Sequence, residues 1–122
     1  MVITSKRTYD AFQGTELEGL LRRRGVDAVI VGGVMTNLCC ETTARWCGRG
    51  LGGAGPGPHG MSPAMTPRRS AFTKDFEVVF EVVFLRDGNA TATEEMQRAT
   101  LLNIGFGFGR VLSCVEAAEL AL

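Results

Sequence analysis

The sequence contains no apolar run long enough to cross a membrane. Its longest strongly apolar stretch, Val78 to Leu85, is interrupted by Glu81 and falls far short of the roughly 20 residues a spanning helix needs. It also carries no net charge, since thirteen basic residues cancel thirteen acidic ones. That balance removes the electrostatic footprint of a protein that grips nucleic acid or an anionic membrane surface, so neither partner is expected. The opening residues MVITSKRTYD have no apolar core of a secretory signal, and the expected location is a reducing compartment, most simply the cytoplasm. No CxxC pair is present: Cys39 and Cys40 are adjacent, Cys47 lies seven residues on, and Cys114 is near the C-terminus. This spacing fits neither a disulfide framework nor a zinc knuckle, which leaves buried thiols or one reactive thiol. The single histidine, His59, sits in a glycine- and proline-rich stretch and reads as solvated, so no metal is assigned.

What is present is a chain of 122 residues, 45% hydrophobic and 21% charged, the composition and size of one globular domain with a real core. Thr15 and Glu18 form a T-x-x-E capping box, Leu17, Leu20 and Leu21 follow at helical spacing, and Gly25 stands where a left-handed cap belongs; a helix over 15–24 follows. The next run, DAVIVGGV, is β-branched and lacks polar alternation, as in a parallel strand covered on both faces, and is read as a strand over 28–32. TNLCCETTAR then begins a second helix over 37–45, with Thr36 or Asn37 as its cap.

Between Gly48 and Gly60 seven of thirteen residues are glycine, all four prolines lie between Pro56 and Pro67, and no acidic residue occurs from Thr42 to Lys74. Such a stretch cannot offset its ordering entropy by burying apolar surface, so Cys47 to about Ser70 is expected to be a flexible insert within a single domain spanning 1–122. Beyond it, EVVF is repeated in tandem in FEVVFEVVFLRD. Four residues are two pleat periods, so the duplication lengthens a strand over 77–85 without exchanging its faces. Thr91 and Glu94 form a second capping box for a helix over 93–104, with Met96, Ala99 and Thr100 on one stripe, ended by the glycines of GFGFG. Those glycines follow a helix rather than a strand, so the logic of a phosphate-binding loop does not apply. A strand over 110–113 and a helix over 115–121 close the chain, and the alternation argues for a parallel α/β sheet with right-handed crossovers.

Cys39 falls just after the carboxyl end of a buried strand, the usual place for an active site in an open α/β sheet. Unpaired amides at a helix start favour its thiolate and are placed to hold an oxyanion. Cys40, about 100° around the helix, reads as packing, and Cys114 as core.

The residues now on the page carry a resemblance. K-x-x-Y-x-A-F-x-G-T-x-L from Lys6, G-V-x-T-x-x-C from Gly33, T-A-R from Thr43, and FEVVFLRDGNAT followed by E-x-x-x-x-A-T-L resemble the isochorismatase-like cysteine hydrolases, a superfamily that includes nicotinamidases and ureidoacrylate amidohydrolases. The match spans residues 3 to 45 and 74 to 122. It implies a Rossmann-like three-layer α/β/α fold with a mostly parallel sheet, and hydrolysis of a small-molecule amide or vinyl ether without a cofactor. By the resemblance Cys39 is the nucleophile, Lys6 its companion lysine, Val34–Met35 a cis peptide, and the amides of Met35 and Cys39 the oxyanion donors. Tyr9, Phe12 and Asn37 take substrate-binding positions.

The resemblance also implies an aspartate general base on a strand well upstream of the lysine, and only five residues precede Lys6. Asp10 is too close to Lys6 to stand in for it, while Asp27, Asp75 and Asp87 fall at turns or strand ends. The sheet is therefore expected to be incomplete on its N-terminal side, with VIT at 2–4 as an orphan strand segment. The activity is expected to be impaired, as in a fragment or the product of an incomplete gene reading. The alternative is an inactive homologue serving as an interaction or oligomerisation module, in keeping with a possible homo-oligomer.

Overall fold

The computed structural model describes residues 1–47 and 80–121. Within them the order is helix α1 (Leu17–Arg23), strand β1 (Ala28–Val34), a π-helical turn (Thr36–Cys40), helix α2 (Glu41–Cys47), strand β2 (Glu81–Ala90), helix α3 (Glu94–Gly107), strand β3 (Arg110–Leu112) and helix α4 (Cys114–Ala121). The strands lie in the order β1-β2-β3, both pairings parallel. Parallel neighbours demand a crossover, and each crossover here contains a helix. The result is an α/β fold of the three-layer class.

β2 is the central strand and the heart of the core. Val82 and Phe84 are fully buried on one face and Val83 is buried on the other, the continuous apolar run of a strand covered on both sides. Around it pack Phe12, Phe80, Ala44 and Ile104, with Leu17, Leu21, Trp46 and Phe108 at the margin. Phe12 stacks on Trp46 with ring centroids 4.2 Å apart, and on Phe80 at 5.8 Å. Arg45 covers the Phe108 ring at 4.3 Å. The loop before β3 passes so close to β2 that a Cβ on Gly109 would sit 2.5 Å from the Val82 carbonyl oxygen. Glycine is there because nothing larger fits.

Several boundaries differ from the sequence expectation, each for a local reason. α1 starts at Leu17, not at 15, because the capping box does not close: Thr15 Oγ1 donates to the Ala11 carbonyl at 2.6 Å, and Glu18 is engaged by Arg22 at 2.9 Å. Its C-terminus does end as Gly25 suggested. Gly25, at φ 65°, donates to the Arg22 carbonyl and Val26 to that of Leu21, the two bonds of a Schellman motif. β1 continues to Val34 and β2 to Ala90, past the expected 32 and 85, because pairing resumes at Gly33 with Asn89 and Val34 with Ala90 after an irregularity between Val31 and Gly33.

Of the duplicated EVVF, residues 77–79 lie outside the described residues, as do Asp75, His59 and the stretch 48–70; β2 begins at Glu81 in the second copy. Cys47, expected in a flexible insert, is fully buried at the end of α2, because the α2 pattern of buried residues continues to that position. Residues 2–4 form no strand.

α3 is capped two residues later than expected, by Thr93, whose Oγ1 accepts from the Met96 amide at 3.2 Å. It runs through two of the glycines to Gly107. Its buried face is Thr100 and Ile104, while Met96 is exposed. β3 stops at Leu112 and α4 starts at Cys114, which is exposed rather than in the core.

α4 opens on a further capping box, the S-x-x-E of Ser113 and Glu116. The Ser113 amide donates to Glu116 Oε2 at 2.7 Å and Glu116's amide donates to Ser113 Oγ at 3.1 Å. Arg86 adds a bond to the same carboxylate at 2.7 Å. The Ser113 amide, with Arg86 second, holds the Glu116 carboxyl down at about 2 against an ordinary 4.5. A carboxyl lowered by folding contributes stability that is complete above its unfolded value and is lost as pH falls toward its folded one. The gap in urea midpoint between the unmodified chain and Glu116→Gln is therefore expected to be full well above pH 4.5 and to close as pH falls from 4.5 towards about 2. A gap that stays constant across that range would overturn the assignment.

Candidate functional site

The site is built where β1 ends. The Val34–Met35 peptide bond is cis, and the chain then winds into the π-helical turn, in which the amides of Leu38 and Cys40 both donate to the Met35 carbonyl at 3.2 and 3.3 Å. Cys39 was expected in the first turn of an α-helix; it lies instead in this wider turn, directly ahead of α2. Neither Thr36 nor Asn37 caps that helix. Thr36 is fully buried and donates to Gln97 Oε1 at 2.6 Å, and Asn37 Oδ1 accepts from Thr91 at 2.5 Å. Cys39 is half-buried and opens onto a cleft of about 370 Å³ between the N-terminal segment, α1 and β1.

Lys6 reaches the same cleft from 33 positions away in sequence. The segment that carries it is irregular but tied down. Ser5 Oγ donates to Glu16 at 2.6 Å, Arg7 donates to the Thr4 and Lys6 carbonyls at 2.8 and 3.1 Å, and buried Asp10 turns back to accept from the Phe12 amide at 2.8 Å. Asp10 is thus a turn residue, with its carboxylate committed to backbone. Phe12 lines the cleft, and Thr43, whose Oγ1 accepts from the Ala11 amide at 3.0 Å, faces it from α2. The remaining walls are apolar, among them Leu21 and Ile30. Tyr9 is 55% exposed and does not line the cleft, and neither do Met35 and Asn37.

The four thiols are chemically distinct. Burial pushes Cys40 up, and the neighbouring Cys39 adds to that shift. Cys47 is fully buried. Cys114 is exposed, but its hydrogen bond to Asp87 pushes it up and keeps it protonated, while Asp87, which accepts from the Cys114 amide at 2.7 Å, is held low. A thiolate is the nucleophilic form of cysteine, and it needs both access and a favourable charge environment. Of the two thiols that line the cleft with Lys6, Cys39 and Cys40, only Cys39 is more than marginally exposed.

The arrangement offers a thiol, a cation and an apolar pocket sized for a small ligand. Among the described residues no carboxylate lines the cleft, and no group of three His, Cys, Asp or Glu side chains is gathered to hold a metal ion. Sequence reasoning missed Thr43 and Gln97. The first was visible only as part of T-A-R, and for the second no local pattern signals a partner 61 residues away.

Comparison with known proteins gives a consistent picture. Residues 1–49 match the isochorismatase domain model. Over 112 residues the chain is 40% identical to nicotinamidase 3 of Arabidopsis thaliana, covering 92% of this chain and 42% of that protein. In three dimensions it is similar to an isochorismatase-like hydrolase from Alkaliphilus metalliredigens, with a TM-score of 0.68, 25% identity and coverage of 96% of this chain and 48% of that one. It is also similar to a cysteine hydrolase from Pseudomonas syringae pv. phaseolicola 1448A, at 0.64, 29%, 93% and 46%. The chain spans less than half the length of each of these relatives.

Proposed function

This chain belongs to the isochorismatase-like superfamily, and from that premise we propose that it carries the nucleophile half of a small-amide hydrolase site, with Cys39 as nucleophile and Lys6 as the cation beside it. The observation that carries the reading is the meeting of Lys6 and Cys39 on one cleft. The Cys39 sulfur attacks the amide carbonyl carbon, the C–S bond forms, and the carbonyl oxygen takes up negative charge. The Cys39 amide is the donor proposed for that oxyanion; the Met35 amide, expected beside it, belongs to a residue that does not line the cleft. Collapse breaks the C–N bond, the amine nitrogen taking up the proton that the Cys39 thiol gave up on attack, and leaves a thioester that water must cleave. Phe12 supplies an apolar surface for a flat or apolar substrate, and Thr43 a hydroxyl.

The second half of the cycle is the weak one. Water attack on the thioester needs a base, and general-base help is worth roughly 10² to 10⁴ in rate. Lys6 is proposed as the cation beside the sulfur and not as that base, and no carboxylate among the described residues lines the cleft. The chain is therefore proposed to acylate and then turn over slowly. Mixing it with nicotinamide or a carbamoyl amide should give at most one equivalent of released amine or ammonia, with a mass adduct on the Cys39 peptide. Sustained multiple turnover would refute the proposed defect, and an adduct on another residue would refute the assigned nucleophile.

A second reading is favoured by one feature. Among the described residues β1 pairs on one side only, and Ile30 and Val34 on it are 53% and 68% exposed. An apolar open edge invites association, so a role as an oligomerisation module is also proposed. It is checked by the solution mass of the chain against Ile30→Lys; equal masses, both monomeric, would end it.

A further inference from the structure

We infer that Gln97, together with Thr91 and Thr100, acts as a positioning device for the nucleophile turn, holding the Cys39 sulfur at the cleft from the opposite side; this rests on the reading of Cys39 as nucleophile. A π-helical turn is rare and is commonly a single turn at a functional site, and this five-residue turn has support from outside. Three side-chain bonds supply it. Thr36 Oγ1 donates to Gln97 Oε1 at 2.6 Å, Thr91 Oγ1 to Asn37 Oδ1 at 2.5 Å, and Thr100 Oγ1 to Glu41 Oε2 at 2.7 Å. They grip the chain before and after Cys39, and all three come from the β2–α3 connection or from α3 itself.

Two of the three pairs in this grip have members that are buried or doubly held. Thr36 is fully buried and Thr100 nearly so. Gln97 is fixed by its other arm, Nε2 donating to the Arg86 carbonyl on β2 at 3.3 Å. Glu41 has both oxygens in use, Oε2 by Thr100 and Oε1 by Arg45 at 2.7 and 2.9 Å. It therefore anchors the turn and is not a base for the cleft. Thr36, Asn37 and Glu41 do not line the cleft, whereas Cys39 and Cys40 do. The turn thus presents its bonded side to α3 and its thiol to the cleft that Lys6 also lines, and any loosening of the bonded side moves the sulfur. Losing a hydroxyl donor from a buried pair also strands its acceptor, which penalises the native turn geometry.

The test uses charge selectivity at Cys39, read by peptide mass spectrometry. The rate of alkylation by iodoacetate relative to iodoacetamide is measured in the folded chain and divided by the same ratio in denaturant. A sulfur held beside the Lys6 cation favours the anionic reagent by about three- to fivefold, and Lys6→Met sets the floor. Thr36→Val and Gln97→Leu are expected to bring the ratio more than halfway to that floor, and Thr36→Ser, which keeps the donor, to restore it. Continued protection of Cys47 from both reagents reports that a variant is folded. If Thr36→Val fails that check, Gln97→Leu, at a half-buried position, decides the matter. A purely structural role would lower the unfolding temperature and leave the ratio of the folded chain unchanged; that result, or an unmodified chain already at the Lys6→Met floor, overturns the inference. A normal ratio accompanied by no adduct at Cys39 with amides would instead refute the nucleophile reading and leave the positioning intact.

Discussion

With Cys39 as the proposed nucleophile, Cys39→Ala is expected to lower the rate of amine release from a small amide by about 10³-fold or more and to remove the mass adduct altogether, because loss of a covalent nucleophile leaves only the residual help of binding and oxyanion donors. Cys40 does not rescue it. Although it also reaches the cleft wall, it is 5% exposed, and burial holds its thiol in the neutral form. Cys114, pushed up by its bond to Asp87 and remote from the cleft, does not rescue it either. Single-turnover release measured side by side for the unmodified chain, Cys39→Ala and Cys40→Ala decides the point. Equal release from the first two would remove Cys39 from the mechanism.

Phe84→Ala is expected to cost about 3 to 5 kcal/mol, the range for deleting a fully buried phenyl ring together with the cavity left behind. Phe84 lies at the centre of β2, fully buried, paired with Val31 on one side and Val111 on the other. A domain of ordinary stability has only about 5 to 15 kcal/mol to lose, so a large fraction of the urea midpoint should disappear. Leu102→Ala on α3, where the side chain is 73% exposed, is the matched control and should shift stability by no more than about 0.5 kcal/mol. Equal losses from the two substitutions would mean that β2 is not the core strand.

Much of the fold was legible because its signals are local. The run AVIV reads as a strand, Gly25 as a left-handed cap and the order of helix and strand as a parallel sheet, but the expected burial of that run on both faces does not hold, since Val31 is the one buried residue of β1. What misled was also local. Thr15 and Thr91 both looked like caps, yet each found a better partner for its hydroxyl, Ala11 for the first and Asn37 for the second. A capping box is only one of several bonds a threonine can make, and tertiary neighbours decide which wins. Cys47 was assigned to the adjoining glycine-rich composition, but its burial depends on how α2 lies against the rest of the core.

By itself the sequence determined the fold class, the approximate places of the strands and, through G-V-x-T-x-x-C, the family and the thiol to examine, because periodicity and short motifs are written in neighbouring residues. Only the tertiary structure decided which groups meet. Lys6 and Cys39 share a cleft because an irregular N-terminal segment, pinned by Ser5, Asp10 and Arg7, folds against the end of β1. Thr36 and Gln97 meet because parallel pairing of β1 with β2 carries α3 to the π-helical turn. A contact between residues dozens of positions apart is fixed by packing, and no one stretch of sequence encodes it.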